Sequence, residues 1–309
     1  VIVLVLDVLS DVCTGTEGSK LNMTTLELSR PAANALAGRS PYFVQFLISL
    51  LDMFKRDAAL LQDRGHFIIR QLCVLLQAEE VFLTLAILLS YETSDLSFAA
   101  VMVQTLNSIL LTSSELFGLR NTLKDLDNSS SLSIFEQLYR CWCHHPVALI
   151  ALCLLSQNYA HSSDLIHLFV DIEVTVDYLT EVDKLIQLLE SPVFSYLRLQ
   201  LLDPVHQHDI STCLYGILMI IPQTDAFHTL RRRLQCVPPN SIHSTAITTA
   251  SRAEASPSKR QAKSITASAA VPKFEELLSH FKSVQQRHRE FKAKKRLQAF
   301  EDAAAVSQS

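Results

Sequence analysis

Glycine is scarce in this chain: its 309 residues include only 6 Gly and 10 Pro, whereas 49% of the residues are apolar. A sheet protein needs repeated tight turns between alternating strands, and neither the turn residues nor the alternation recurs here. Few turn-forming residues together with many apolar ones indicate long helices. The composition therefore predicts an all-α fold, and the chain is long enough to bury a sizeable core.

Long apolar runs are also missing. The longest, such as residues 147–155, fall well short of the roughly 18 to 20 residues that a membrane-spanning helix needs, so we expect no transmembrane helix. The 7 cysteines are scattered and lie mostly within apolar helical patterns, which is typical of buried, reduced thiols. We therefore expect a cytoplasmic protein. Because the chain begins at Val1, inside an apparent helix, we also expect it to be part of a longer protein.

Common enzyme signatures are absent. The sequence contains no G-x-x-x-x-G-K-[ST] or G-x-G-x-x-G loop, no G-x-S-x-G elbow and no H-E-x-x-H pair. Cys141, Cys143, His144 and His145 are residue types that bind zinc, but their spacing does not match the usual ligand pairs. We interpret them as structural thiols and as histidines at a helix end, where a protonated imidazole suits the helix dipole. The sequence predicts no catalytic residue, metal or cofactor.

Positive charge is scarce in most of the chain and concentrated near its end. Residues 1–251 contain 15 Lys and Arg against 25 Asp and Glu, a net charge of −10, whereas residues 252–296 contain 12 against 4, a net charge of +8. The body is therefore acidic and the tail basic. Such a tail can contact the body, an acidic partner or an anionic membrane surface, and the sequence leaves these alternatives open.

Helical periodicity dominates the part of the chain after residue 40. Residues 14–40 are rich in Thr, Ser, Gly and Asn, which predicts a long, mobile loop. The predicted helices then lie at about residues 41–54, 65–77, 79–90, 94–111, 113–126, 132–144, 146–159, 164–169 and 174–189, with later ones punctuated by Pro192, Pro204 and Pro222. This pattern is typical of a HEAT- or armadillo-like α-solenoid of antiparallel helix pairs, with a bundle as the alternative.

The composition changes after Pro239. Residues 240–271 are rich in Ser, Thr and Ala with scattered Lys and Arg, so we predict a disordered basic linker. We expect the whole segment beyond residue 239 to offer little apolar surface to the body, so that deletion of residues 240–309 leaves the body folded. Residues 272–309 are predicted to form an amphipathic basic helix and tail. Its apolar face comprises Phe274, Leu277, Leu278, Phe281 and Val284, and its residues 287–296 are strongly basic.

Several strings, taken in order, are similar to the carboxy-terminal region of the vacuole-morphology scaffold ("Vac fourteen") family. They are RGHFIIRQLC (64–73), LLTSSELF (110–117), WCHHPV (142–147), EVDKL (181–185), SYLRLQLLD (195–203), LYGILM (214–219) and RLQCVP (233–238). None of these strings contains a catalytic motif, but their number and order make the resemblance specific. It covers roughly residues 64–238, more than half of the chain.

The resemblance implies a non-catalytic scaffold with HEAT-type repeats. Such a scaffold assembles the phosphatidylinositol 3-phosphate 5-kinase, PIKfyve, with its opposing Sac-domain phosphatase on endosomal or vacuolar membrane, and so controls phosphatidylinositol 3,5-bisphosphate. It also implies that this region binds the phosphatase and forms a homo-oligomer. The expected division is HEAT-like helices in 1–63, a phosphatase-binding and self-association domain in 64–239, the linker and the tail.

Partner-binding residues are predicted at Arg70, Tyr196, Arg198 and Tyr215, because these polar or amphipathic groups stand within otherwise apolar helices and are of the types found at interface hot spots. The alternative is that they are buried, hydrogen-bonded members of the core. Tyr196 and Arg198 diverge by about 200° on a helix, so at least one is expected to be exposed or at an interface.

Two other clusters of charged residues each have a structural and a functional interpretation. The acidic ridge of Glu173, Asp177 and Glu181 is either a solvated face or a docking site for a basic partner. The basic run at residues 231–233 either complements a helix end or contacts a phosphoinositide or a partner. At the level of the whole chain, the alternatives to the scaffold are a generic HEAT-type adaptor with unrelated partners and a metal-dependent hydrolase that uses the Cys141–His145 cluster.

Overall fold

The computed structural model describes residues 30–92, 94–169, 172–237 and 273–306. Within these ranges the chain is helical apart from short turns, and no strand occurs. The predicted all-α class is confirmed, and successive packed helices are consistent with an α-solenoid. The HEAT-type repeat remains a prediction.

Fifteen α-helices account for most of the described residues. They are α1 (Arg30–Ala35), α2 (Pro41–Arg56), α3 (Ala58–Leu60), α4 (His66–Leu75), α5 (Ala78–Ser90), α6 (Leu96–Thr112), α7 (Phe117–Lys124), α8 (Ser129–Trp142), α9 (Pro146–Leu155), α10 (Tyr159–Leu168), α11 (Val176–Leu189), α12 (Ser195–Gln200), α13 (Gln207–Ile220), α14 (Asp225–Gln235) and α15 (Phe274–Val306). A π-helical turn, Leu61–Gly65, precedes α4, and 3₁₀ turns lie at Ser114–Leu116 and Pro192–Phe194.

Most predicted helices are present with ends shifted by a few residues, and two differences stand out. The segment predicted as a loop over residues 14–40 contains α1, while residues 1–29 lie outside the described residues. The last helix before the 170s begins at Tyr159 rather than near residue 164. The predicted disordered linker, residues 240–271, also lies outside the described residues, so that prediction is untested.

Local chemistry fixes several helix ends. Pro41 occupies the first turn of α2, where a missing N–H costs nothing. The Asp95 side chain accepts a 3.0 Å hydrogen bond from the Phe98 N–H at the start of α6, and the Thr175 hydroxyl accepts one of 3.2 Å from the Tyr178 N–H at the start of α11. These caps satisfy amide groups that have no partner inside the helix.

The described residues form two compact units. Unit 1 comprises the described residues within 30–123, 133–149 and 273–306; unit 2 comprises those within 124–132 and 150–237. Unit 1 has a core of large side chains that are at most 1% exposed, among them Phe54, Phe82, Phe135 and Trp142. Trp142 also donates its indole N–H to the Asn107 side chain at 3.2 Å, which satisfies the one polar atom of the ring.

Unit 2 contains the stretch of closely spaced helices from α10 to α14. Helix α10 packs against α13, and α14 packs against both α11 and α13. The approach of α10 and α13 is close at Gly216: a Cβ atom at that position would lie 2.6 Å from Cγ2 of Ile166. Glycine is therefore required here by contact between helices rather than by its backbone conformation.

Helix α15 belongs to unit 1, where it packs against α6. Leu277, Phe281 and Val284 are only 1–2% exposed, which confirms the apolar face that the sequence predicted. Gln285 adds a 2.7 Å hydrogen bond from its amide to the carbonyl of Cys143. The expectation that the chain beyond residue 239 offers little apolar surface to the body is therefore wrong for α15, because its period-3.6 stripe is buried.

Candidate functional site

The Cys–His cluster is part of the unit 1 core. Cys141 and Cys143 are completely buried, and burial raises the pKa of the Cys141 thiol, so it stays protonated. Thiols in this state are poor metal ligands and poor nucleophiles. No group of three or more His, Cys, Asp or Glu in the described ranges could hold a metal ion.

The two histidines of this cluster do not act as protonated caps in the predicted way. His144 is 3% exposed, and its Nδ1 lies 3.0 Å from Nε2 of His288 on α15. Burial, together with the nearby His288 and Arg287, lowers the pKa of His144 to about 3, so the ring is neutral at pH 7. His145 accepts a 3.2 Å hydrogen bond from the Ala148 N–H and so caps the start of α9. The prediction of protonation is wrong for His144, because desolvation outweighs the helix dipole.

Arg70 lies at the surface of unit 1 in an ion pair. Its Nη2 atom is 2.7 Å from Oε1 of Glu115, in the 3₁₀ turn that follows α6, and the two side chains are 38% and 22% exposed. The hydrogen bond from Arg70 lowers the pKa of the Glu115 carboxyl, so the pair is charged at neutral pH. Two sequence strings that carried the family resemblance, 64–73 and 110–117, therefore meet at this contact.

Two exposed aromatic rings flank the ion pair along the chain. Phe67 lies one helical turn before Arg70 and is 59% exposed; Phe117 lies two residues after Glu115 and is 61% exposed. We call Phe67, Arg70, Glu115 and Phe117 the aromatic surface. Sequence reasoning identified Arg70 but missed both rings. For Phe67 the signal available was its position out of phase with the buried stripe of α4, formed by Ile69, Leu72 and Cys73.

Tyr196 takes part in the packing of unit 2. Its hydroxyl donates to the carbonyls of Leu155 and Leu154, at 2.9 Å and 3.2 Å, and the ammonium of Lys124 lies 4.4 Å from the centre of its ring. Burial raises the pKa of the Tyr196 phenol. These contacts fit the alternative that Tyr196 is a hydrogen-bonded member of the core. A role in partner binding stays a prediction.

Arg198 is half-buried and caps the end of α11. Its guanidinium donates to the carbonyls of Leu189 and Ser191, the latter at 2.7 Å. The Leu189 carbonyl has no partner inside α11, so a cation here satisfies it and complements the dipole, whereas the Ser191 carbonyl also accepts a 3.3 Å hydrogen bond from the Phe194 N–H. These contacts fit a structural role for Arg198, and a role in partner binding stays a prediction.

Tyr215 is the predicted residue that unit 2 displays at its surface. It is 42% exposed on α13, and Met219, one turn later, is 77% exposed. The opposite face of the helix is buried through Cys213, Leu214 and Ile217. We call Tyr215 and Met219 the α13 stripe. Other exposed aliphatic side chains of unit 2 that the sequence did not single out are Leu199, Leu202 and Val205.

The remaining charge clusters are partly neutralised by ion pairs. Arg233 makes two hydrogen bonds to Glu190, at 2.6 Å and 3.0 Å, so this member of the basic run joins α14 to α11. On the acidic ridge, Glu181 pairs with Lys184 at 2.7 Å. Both contacts support the structural interpretations of these clusters.

A cavity of about 430 Å³ in unit 1 is a poor candidate for a substrate site. It is lined by Ala37, Gly38, Arg39, Ser40, Phe43, Leu76, Gln77 and Glu80. Its two charged groups pair with each other, since Arg39 Nε lies 3.3 Å from the Glu80 carboxylate, and Arg39 also donates to the Thr84 hydroxyl. A substrate site needs unpaired polar groups that converge on one point, and this lining supplies an ion pair instead.

In the part of the chain that the structure describes, no single helix is long and apolar enough to cross a bilayer. The consecutive segments Leu96–Thr112 and Ser114–Lys124 are together long and apolar enough, but they are bent by 83° at the break between them.

Packed helices that display aromatic and aliphatic side chains define a helical interaction module. A family model described as "Vacuolar protein 14 C-terminal Fig4p binding" matches residues 58–237, more than half of the chain. The chain belongs to this family. The matched residues include every predicted partner-binding position and both the aromatic surface and the α13 stripe.

Curated relatives agree with the family match. The Protein VAC14 homolog of Schizosaccharomyces pombe is 48% identical over 212 residues, which are 69% of this chain and 26% of the relative. The homolog from Arabidopsis thaliana is 47% identical over 203 residues, 65% of this chain and 27% of the relative. The Vacuole morphology and inheritance protein 14 of Saccharomyces cerevisiae is 40% identical over 193 residues, 62% and 22%. The chain thus spans about a quarter of these relatives, and no solved structure matches it.

Proposed function

We propose that this chain is the phosphatase-binding part of a non-catalytic scaffold. The scaffold joins the Sac-domain phosphatase to the lipid kinase PIKfyve, peripherally on endosomal or vacuolar membrane, and self-associates. The observation that carries the proposal is the match of residues 58–237 to a Fig4p-binding family. Holding two opposing enzymes together raises the concentration of each near the product of the other. In this way the scaffold controls phosphatidylinositol 3,5-bisphosphate.

The aromatic surface is the contact that we propose for the phosphatase. Aromatic residues and arginine are enriched at interfaces and at the positions that dominate binding energy. The ion pair with Glu115 holds Arg70 in one place, so less side-chain entropy is lost when a partner binds. Phe67 and Phe117 are each about 60% exposed, so a partner can bury a large apolar area on them.

The α13 stripe is the second candidate surface. Tyr215 and Met219 are adjacent on one helix face, and both residue types adapt well to a partner. It also lies in the stretch of closely spaced helices from α10 to α14. Separate variants of the two surfaces therefore decide between them.

Capture of purified phosphatase by the immobilised chain tests the proposal. The double variant Phe67→Ala with Phe117→Ala is expected to weaken capture by roughly 2 kcal/mol or more, about thirtyfold, as for aromatic hot spots. Tyr215→Ala with Met219→Ala is expected to have a small effect. Met53→Ala is the matched control, because Met53 is 46% exposed but lies outside the family match.

Each result has a distinct meaning. If the α13 double variant loses binding and the aromatic double variant keeps it, the contact belongs to α13. If both variants bind normally, neither surface is the contact. If the unmodified chain captures no phosphatase, the proposed function itself fails. All variants should keep their thermal unfolding midpoints, because the changed side chains are exposed.

Two other functions stand as alternatives. Stoichiometric zinc in elemental analysis of the purified protein would favour a metal-dependent hydrolase. Recovery from cells of a consistent set of proteins that lacks both the kinase and the phosphatase would favour a generic helical adaptor.

A further inference from the structure

Helix α15 changes character along its length. Its first half is docked in unit 1 by Leu277, Phe281 and Val284, and this docked half ends at His288. Beyond that point residues 289 and 290 are exposed, Phe291 is half-buried, and every residue from 292 to 298 is exposed. We call residues 289–298 the basic extension; at 1.5 Å per residue it is about 14 Å long.

Positive charge surrounds the axis of this extension. The extension carries five basic side chains, Arg289, Lys292, Lys294, Lys295 and Arg296, against one acidic side chain, Glu290, a net charge of +4. Arg289, Lys294 and Lys295 point in directions that differ by roughly 100–140° from one another on an α-helix. The charge therefore faces every side of the helix rather than one stripe.

This distribution argues against a helix-binding or membrane-inserting role. A partner helix or a bilayer interior is recognised by an apolar stripe, and the exposed part of the extension has one large apolar side chain, Leu297. A short cation-rich helix without an exposed apolar stripe instead suits a surface with diffuse negative charge.

We propose that the basic extension binds the surface of an anionic lipid bilayer by electrostatic attraction, without insertion. The docked half of α15 holds the helix in unit 1, so the membrane contact is transmitted to a folded body. Residues 1–251 have a net charge of −10 and are repelled by the same surface, whereas residues 252–296 carry +8, half of it in the extension. This inference does not depend on the identity of the protein partner.

Co-sedimentation of the full chain with vesicles tests the inference. Binding is expected to vesicles of phosphatidylcholine with phosphatidylserine and not to vesicles of phosphatidylcholine alone. Each Lys or Arg near an anionic surface contributes about 1 kcal/mol, which is about fivefold in partitioning. The triple variant Arg289→Gln, Lys294→Gln and Lys295→Gln should therefore bind on the order of a hundredfold less. Raising the salt concentration should release the unmodified chain, because salt screens exposed charges.

A control with equal loss of charge makes the result specific. Arg231→Gln, Arg232→Gln and Lys282→Gln remove three exposed charges from α14 and the docked half of α15. This variant should bind vesicles nearly as well as the unmodified chain. Equal binding by the two triple variants would overturn the proposal, as would equal binding of the unmodified chain to neutral and anionic vesicles. A chain that ignores anionic vesicles but binds an acidic polypeptide through the same three residues would show a protein site instead.

Discussion

Two glycines in this chain differ in how easily their surroundings can accommodate a Cβ atom. A Cβ atom at Gly216 would lie 2.6 Å from Cγ2 of Ile166, next to the branched and therefore stiff Cβ of that side chain. A Cβ atom at Gly65 would instead meet the far end of Leu61, Cδ1 at 2.7 Å, and that methyl group can rotate away. The same substitution should therefore have different effects in the two places.

Gly216→Ala is expected to lower the free energy of unfolding by up to about 2 kcal/mol. Overpacking costs roughly 1–3 kcal/mol, and the better helix propensity of alanine offsets about 1 kcal/mol of it. Gly65→Ala is the control and should be neutral or slightly stabilising. Urea unfolding of both variants measures the difference, and a stable Gly216→Ala protein would show that α10 and α13 can separate without cost.

Arg198 allows a test of structure against interface. Its guanidinium holds two carbonyl groups at the end of α11, so Arg198→Ala is expected to cost about 1–3 kcal/mol in stability, as for hydrogen bonds from a charged group. Phosphatase capture at a temperature where the variant remains folded should be unchanged. Arg232→Ala, at an exposed position of α14, is the control for loss of charge. An unchanged melting temperature together with weak capture would make Arg198 an interface residue.

Among the secondary-structure elements, α15 shows what the sequence can and cannot predict. The spacing of Leu277, Phe281 and Val284 predicted one apolar face, because a helical period is local information. The site where that face docks was not predictable, since His288 meets His144 from a position 144 residues away. Likewise, periodicity identified α4 but not the exposure of Phe67, which depends on what other helices leave uncovered.

Acid is expected to weaken the docking of α15. Burial lowers the pKa of His144 to about 3 and that of His288 to about 4, whereas an unfolded histidine has a pKa near 6.5. Between pH 6.5 and about 4 the unfolded chain therefore binds protons that the folded chain does not, so stability falls as the pH falls. Each histidine contributes up to about 1.4 kcal/mol per pH unit in this window.

Urea unfolding followed from pH 7 to pH 4.5 measures this dependence. His288→Gln should make the loss of stability with acid shallower, because one of the two histidines of this contact, each with a lowered pKa, is removed. His228→Gln changes an exposed histidine of α14 and should leave the slope as it is. A slope that is the same in all three proteins would show that the His144–His288 contact does not set the acid sensitivity.

At the scale of the whole molecule, the fold class could be predicted from composition and helical periodicity alone. Scarce glycine and repeated apolar stripes indicate helices rather than strands. The hydrogen bonds of Tyr196 and Arg198 were not predictable, because both side chains donate to backbone carbonyls that no sequence pattern pairs with them. Their part in partner binding stays a prediction. Both of the surfaces proposed for protein contact lie within the family match, whereas the basic extension lies beyond it.

Protein binding and membrane binding are therefore expected to be separable. The unmodified chain should carry purified phosphatase into the pellet with phosphatidylserine-containing vesicles. The Phe67→Ala, Phe117→Ala chain should sediment while leaving the phosphatase in solution, and the Arg289→Gln, Lys294→Gln, Lys295→Gln chain should hold the phosphatase in solution, away from the vesicles. Phosphatase with vesicles alone gives the baseline. If the arginine and lysine variant still delivers phosphatase to the vesicles, the membrane contact of the assembly lies elsewhere, since the same three charges cannot then supply the attraction.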